Sequence, residues 1–206
     1  MKAAAAVAHI LQQEGVEHLF CFPIHQVIDA CAELGIRPIM ARTERTVVGM
    51  ADGYTRVTNG RKIGVCTMQY GPGTENAFGG IAQAFSDSTP ILCLPGGAPE
   101  TRTAVRPNFD AVLNFQHITK WVARVNRTER IPEFLRRAFT YLRTGRPGPV
   151  ALELPWDLML SEADETATRY QPVRRTRSMA APADVAAAVA ALVAARCPLI
   201  HAGLGI

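Results

Sequence analysis

The sequence predicts an α/β domain: a doubly wound, six-stranded parallel sheet with helices on both faces. Three observations carry the prediction. Short apolar runs alternate with amphipathic segments of roughly 10 to 15 residues, the rhythm of repeated βαβ units. The run at residues 62–68 is apolar through its centre (Ile63, Val65, Cys66), as a strand covered on both faces requires. The right-handed rule for parallel crossovers then distributes the helices over both faces.

The elements follow in order. A first helix spans residues 2–14 and closes at Gly15. It is no secretory leader, because His9, Gln12, Gln13 and Glu14 interrupt its apolar stretch. A strand at 16–22, the turn Pro23-Ile24-His25 and a helix at 27–34, capped by Gly35, come next. The second strand, 37–41, runs into the polar step Arg42-Thr43-Glu44-Arg45. The helix beyond it reaches residue 57, with Val47, Val48, Met50, Ala51 and Tyr54 on its apolar face, and stops at Asn59-Gly60. Thr43 is its expected N-cap, and Asp52 with Arg56 an i,i+4 pair. The third strand, 62–68, leads into a glycine-rich loop, Gln69-Tyr70-Gly71-Pro72-Gly73-Thr74-Glu75-Asn76, and a helix at about 75–85. Strand four, 91–94, is broken by Pro95-Gly96-Gly97, and residues 98–110 form a long functional loop. A short helix at 111–115, a strand at 119–125, a helix at 131–143 and a sixth strand at 150–154 complete the sheet. Residues 161–182 are charged and small and read as a linker. A helix opening at Asp184, a strand at 198–202 and the loop Gly203-Leu204-Gly205-Ile206 follow. The expected organisation is one domain over 1–160, a linker over 161–182, and 183–206 as the start of a truncated second domain. A single α/β unit does not bury its own apolar surface, so either a longer parent polypeptide is expected or a tail that packs on a partner.

Composition removes several function classes. The formal charge is +4, and four arginines of the 169–177 stretch fall in the predicted linker, so no basic face forms. Without aromatic interleaving or a nucleic-acid motif, no nucleic-acid partner is expected. No apolar run approaches the roughly 18 residues of a membrane span, so no membrane partner is expected. The cysteines (Cys21, Cys31, Cys66, Cys93, Cys197) are odd in number and lack a C-x-x-C pair, which reads as core thiols in the cytoplasm. His117 and His201 lack partners at metal-ligand spacing, and no metal residue is expected. His9 and His18 read as structural, and Trp121 and Trp156 as packing at the sheet edge.

Two features bear chemistry. Glu44 sits just past a strand's carboxyl end, in the first turn of a helix, where open α/β sheets bind ligands. There it is either a partner of the helix dipole or a working acid/base. The Gly71-Pro72-Gly73 loop resembles a phosphate-binding turn, but no Lys-Ser/Thr follows it and Asn76 replaces a third glycine. Pro72 also removes an amide donor. The loop is either a tight turn for close helix–sheet packing or a place where backbone approaches a flat ligand.

Three stretches in this order and spacing are more specific than any one of them: Thr43-Glu44-Arg45 with VGMADGYTRVTNG, then GVCTMQYGPGTENAFGGIAQAFSDSTPILCLPG, then TGRPGPVALELPWD. Together they resemble the amino-terminal pyrimidine-binding domain of the thiamine diphosphate enzymes of the acetolactate synthase, pyruvate oxidase and 2-oxo acid decarboxylase superfamily, over residues 3–160. Residues 183–206 resemble the opening of that superfamily's central domain. The resemblance implies that Glu44 hydrogen-bonds the cofactor's pyrimidine nitrogen and is catalytic. It implies that Pro23, Tyr70, Gly71, Pro72, Gly73 and Asn76 lie at the cofactor, and that His25 and Gln69 are substrate candidates, His25 being otherwise a surface-turn histidine. Magnesium and the diphosphate would be held by a carboxyl-terminal domain through a G-D-G motif not found in this sequence, and FAD by a central domain in some relatives. The implied protein is a homodimer or homotetramer acting on a 2-oxo acid, with an active site shared between subunits, so that these residues alone would be inactive. Thr43 stands where the family often has histidine, Pro23-Ile24-His25 where it has P-G-G, and Gln69-Tyr70 where it has T-S. These departures leave open another 2-oxo acid decarboxylase, an aldehyde lyase or a non-catalytic regulatory homologue.

Overall fold

A computed structural model describes residues 1–23, 25–165, 169–176 and 178–203. Ile24 of the predicted turn, residues 166–168 and 177 of the predicted linker, and residues 204–206 of the closing loop lie outside the described residues. Six strands, β1 (His18–Cys21), β2 (Arg37–Met40), β3 (Gly64–Met68), β4 (Ile91–Gly97), β5 (Trp121–Arg124) and β6 (Val150–Pro155), form one sheet in the order β2-β1-β3-β4-β6-β5. Every pairing is parallel, as predicted. The chain winds outward from β1 to β2 and then restarts on the other side at β3. The switch point therefore lies between β1 and β3, and its carboxyl edge is the expected ligand site.

Helices cover both faces. α1 (Ala3–Gln13) packs on α2 (Gln26–Glu33), α6 (Ile131–Arg143) and α7 (Trp156–Leu160), while α3 (Glu44–Val57) packs on α4 (Pro72–Ser86), and α4 on the short α5 (Ala111–Phe115). Alternate strand residues feed two cores, as the pleat dictates. Leu19, Val65, Leu92, Leu94 and Leu152 join the α1–α2–α6 side; Phe20, Cys66, Met68, Cys93 and Ala151 join the α3–α4 side. Cys21, Cys31, Cys66 and Cys93 are buried free thiols, whereas Cys197 is exposed.

Gly64 sets how closely α3 lies on the sheet. A Cβ there would stand 2.1 Å from the Ala51 carbonyl oxygen. The same contact is fixed by Thr55, whose hydroxyl accepts from Gly64 N–H at 2.8 Å and lies 3.1 Å from Ala51 O. Gly64→Ala is therefore expected to destabilise the protein by roughly 3 kcal/mol, the upper range for overpacking against backbone. The check is a lowered urea midpoint at unchanged slope.

Several boundaries differ from the sequence reading. α4 begins at Pro72, not near Glu75, because proline's fixed φ suits the first helical position and Gly71 supplies the left-handed residue before it (φ 65°). β4 continues through Gly97 because Leu154 and Pro155 of β6 pair with Gly96 and Gly97. α7 was not expected at all. The predicted strand at 198–202 is absent, since no described neighbour offers it a ladder of hydrogen bonds.

The stretch read as a linker is partly docked. The first compact unit runs Met1–Arg174. Lys2 pairs with Glu162 at 2.7 Å, Ala163 N–H donates to Met1 O at 2.7 Å, and Tyr170 is buried with its hydroxyl donating to Glu14 at 2.5 Å. The second unit, Arg175–Ile206, holds α8 (Pro182–Ala194), an alanine-rich helix opening on proline.

Candidate active site

The site assembles where α3 and α4 begin, above β2 and β3. Thr43 caps α3, its hydroxyl accepting from Thr46 N–H at 3.2 Å. Because Thr43 does the capping, the Glu44 carboxylate is free to turn inward, and Glu44 is only 8% exposed. Asn76, one turn into α4, donates from Nδ2 to Glu44 Oε2 at 2.7 Å. The other oxygen faces Gly73: a Cβ there would lie 3.0 Å from Oε1 and 3.0 Å from Gln69 Cβ. Gly73 thus lets the turn lie close against the carboxylate, where any larger residue would crowd Oε1.

The turn carrying these residues is built locally. Gly71 takes a positive φ, Pro72 starts the helix, and the Thr74 hydroxyl donates to Gln69 O at 2.9 Å. Gly80 lets the helices approach, since a Cβ there would meet Val48 at 3.0 Å. Thr74 and Gly80 were not singled out from sequence. A threonine in the first turn and a Gly-Gly pair inside an apolar helix were the available signals. Tyr70 is 37% exposed at the lip of the turn, and Gln69 is half-buried.

Pro23 and His25 sit elsewhere on the same edge, after β1. His25 is not a surface-turn histidine. It is 6% exposed and caps α2, its Nδ1 accepting from Val27 N–H at 3.3 Å. The loop differs from the surface reading because Gly96 makes room for the ring: a Cβ at Gly96 would lie 3.2 Å from His25 Cδ2 and 3.2 Å from Tyr70 N. Burial pushes the imidazole down from 6.5 to about 4; the Leu154 backbone favours the charged form more weakly, without reaching hydrogen-bond geometry to Nε2. The folded-state value lies below the unfolded one, so the unfolded chain binds the extra proton between these values. The contribution of neutral His25 is fully present above pH 6.5 and is lost as pH falls towards 4. It amounts to about 3 kcal/mol over that window. Urea unfolding at stepped pH should show this steep acid loss in the wild type and a flatter profile in His25→Asn.

A second buried carboxylate lies at the β5–β6 end of the edge. Glu153 is 3% exposed, and Arg124 Nε donates to it at 2.6 Å. Burial raises its pKa, with Arg124 opposing. Gly97 admits it, since a Cβ there would lie 2.9 Å from Glu153 Cγ. A polar residue inside the apolar run Val150–Pro155 was the sequence signal.

A buried carboxylate thus meets the asparagine of a G-P-G-x-x-N turn at the switch point of a six-stranded parallel sheet, the edge that marks the ligand-binding class of open α/β domains. The chain belongs to the family described as "Thiamine pyrophosphate enzyme, N-terminal TPP binding domain", which matches residues 1–120. Among curated relatives, it is 36% identical to the glyoxylate carboligase of Escherichia coli O157:H7, over all of this chain and 36% of that protein. It is 37% identical to a probable acetolactate synthase large subunit of Methanocaldococcus jannaschii, over 80% of this chain and 28% of that one. It is 32% identical to the acetolactate synthase large subunit of Buchnera aphidicola subsp. Schizaphis graminum, over all of this chain and 38% of that one. The chain thus spans about a third of the length of these relatives.

Proposed function

We propose that this chain holds the pyrimidine ring of thiamine diphosphate and forms part of an enzyme that decarboxylates or ligates 2-oxo acids, in the manner of acetolactate synthase. The observation that carries the reading is the Glu44 carboxyl: buried, bonded on one oxygen by Asn76, and met on the other by the side-chain-free Gly73. That arrangement fits an aminopyrimidine. Glu44 Oε1 would hold a proton against a ring nitrogen, Asn76 would keep the carboxyl oriented, and Gly71, Pro72 and Gly73 would give the ring a backbone surface without side chains. Bound thiamine diphosphate supplies a carbon nucleophile and an electron sink for the 2-oxo acid. We assign Tyr70 and Gln69, on the turn that carries Gly71, to the rim of this site, and Pro23 to the same edge of the sheet.

The turn after β3 begins its helix on Pro72, which lacks the amide donor a phosphate would want. We therefore assign the diphosphate and Mg2+ to residues other than these, and FAD to no residue here. A homodimer is supported by the outer surface of α3 and α4. Among the described residues, nothing stands within 4 Å of where a Cβ would lie on Gly49, Gly53 or Gly79, and Phe78 and Phe85 of α4 are exposed. Such a surface lets a second copy's helices approach closely. Among the described residues no helix is long and apolar enough to cross a membrane. The four buried free thiols suit a reducing compartment, and we place the protein in the cytoplasm.

The test is calorimetric titration of the complete polypeptide with thiamine diphosphate and Mg2+, followed by pyruvate consumption. Saturable binding with pyruvate loss is expected. Absence of cofactor binding overturns the reading in favour of a non-catalytic homologue.

A further inference from the structure

A cavity of about 490 Å3 opens at the β5–β6 end of the sheet's carboxyl edge. Glu100 and Thr103 enter it from the segment after β4, Arg124 and Asn126 from the end of β5 and just beyond, and Asp157 from α7. None of these residues belongs to the Glu44 site, whose segments follow β2 and β3.

Arg124 carries more donors than the protein uses. Its Nε donates to Glu153 Oε2 at 2.6 Å and its Nη1 to Thr103 Oγ1 at 2.5 Å. A guanidinium has five N–H bonds, so three of them, both on Nη2 included, are without a partner among the described residues. Arg124 lines the cavity with a side chain that is 20% exposed. Asn126 Oδ1 accepts from Arg130 Nη1 at 3.2 Å, which leaves the Asn126 Nδ2 as a further donor. The acidic groups come from the β4 and β6 side. Asp157 Oδ2 accepts from Glu100 N–H at 2.9 Å and Oδ1 from Leu158 N–H at 2.9 Å, which fixes the carboxylate in place. The exposed Glu100 carboxylate has no partner among the described residues.

The two sets of charge stand apart in the fold. Glu100 follows β4 and Arg124 ends β5, with β6 between those strands in the sheet. Val125, Pro155 and Leu158 supply the apolar lining. A simple anion would meet Arg124 but also Glu100, Asp157 and the buried Glu153. A simple cation would meet the acids but also the guanidinium. A molecule with a carboxylate at one end, an ammonium at the other and methylenes between them matches both sets and the lining.

We propose that this cavity binds a linear ω-amino carboxylate, its carboxylate on Arg124 and Asn126 and its ammonium on Glu100 and Asp157. The site shares no residue with the Glu44 site, so the proposal stands apart from the thiamine diphosphate reading. The probe is 5-aminopentanoate, titrated calorimetrically into the complete polypeptide without added thiamine diphosphate. Pentanoate and butylamine each keep the carbon chain and one charge, and norvaline is an isomer with both charged groups on one carbon. 5-Aminopentanoate should bind saturably and at least roughly tenfold more tightly than any of the three. Arg124→Lys, which keeps a cation for Glu153 but loses the guanidinium fork, should weaken binding by roughly tenfold. Glu100→Gln should weaken it by roughly fivefold, the upper range for one exposed ion pair, and tests the same site if the lysine variant does not fold. Absence of 5-aminopentanoate binding, or equally tight binding of pentanoate, butylamine or norvaline, overturns the proposal. Wild-type affinity in the two variants puts the ligand elsewhere on the protein and overturns it as well.

Discussion

Glu44→Gln is expected to lower turnover of the complete enzyme by about 10²- to 10⁴-fold, the range associated with losing a positioned acid/base. The substitution keeps the shape of the side chain. Asn76 Nδ2 can still donate to a glutamine oxygen where it now reaches Oε2 at 2.7 Å, so the α3–α4 contact survives. What is lost is a group that can hold or release a proton in front of Gly73. The signature is therefore a collapse in kcat with thiamine diphosphate still bound, read by calorimetry beside the rate assay. Asn76→Ala provides the contrast: it leaves the carboxyl in place but unoriented, and should reduce the rate by roughly tenfold, the value of one charge-assisted hydrogen bond. A Glu44→Gln enzyme with wild-type kcat would remove the proton role from this residue and return it to a partner of the α3 dipole.

How much of this was legible in the sequence depends on whether the signal was local. The parallel sheet was, because strand and helix periods are written in consecutive residues. So was the N-cap at Thr43, and so was the Asp52–Arg56 pair, found at 2.7 Å. Glu44 could be placed at the ligand edge, but residues alone left its role open. The contact that bears on the choice is with Asn76, 32 positions away, and no local pattern announces it. His25 shows the same limit more sharply. Its neighbours in sequence describe a turn, and its burial comes from Gly96 on a strand two places along the sheet. Residues 161–174 misled in the other direction. Their composition is that of a linker, yet Tyr170 is buried by a residue in the first helix–strand connection.

That last contact carries the largest expected stability effect. The Glu14 side chain is fully buried and gathers three partners: the Arg143 guanidinium, the Tyr170 hydroxyl at 2.5 Å and Val173 N–H at 2.9 Å. Arg143 closes the cluster by donating to Val173 O at 2.5 Å and Glu14 O at 3.2 Å. Burial and the Glu14 carboxylate together hold the Tyr170 phenol well above its usual pKa. Removing the carboxylate strands a cation that is itself only 17% exposed and leaves a hydroxyl and an amide unmatched. Glu14→Ala is expected to destabilise the first unit by about 4 kcal/mol, within the range for breaking one half of a buried ion pair. Glu14→Gln, which retains an acceptor for Tyr170 or Val173, should lose about half as much. Tryptic cleavage at Arg169 and Arg174 separates this effect from general destabilisation. In Glu14→Ala the strap should be cut at urea concentrations where the sheet remains folded, because its anchor is gone. In Gly64→Ala, where the strap contacts are untouched, the same cuts should appear only with global unfolding. Equal cleavage profiles in the two variants would show that Glu14 stabilises the unit as a whole and does not specifically tether residues 161–174.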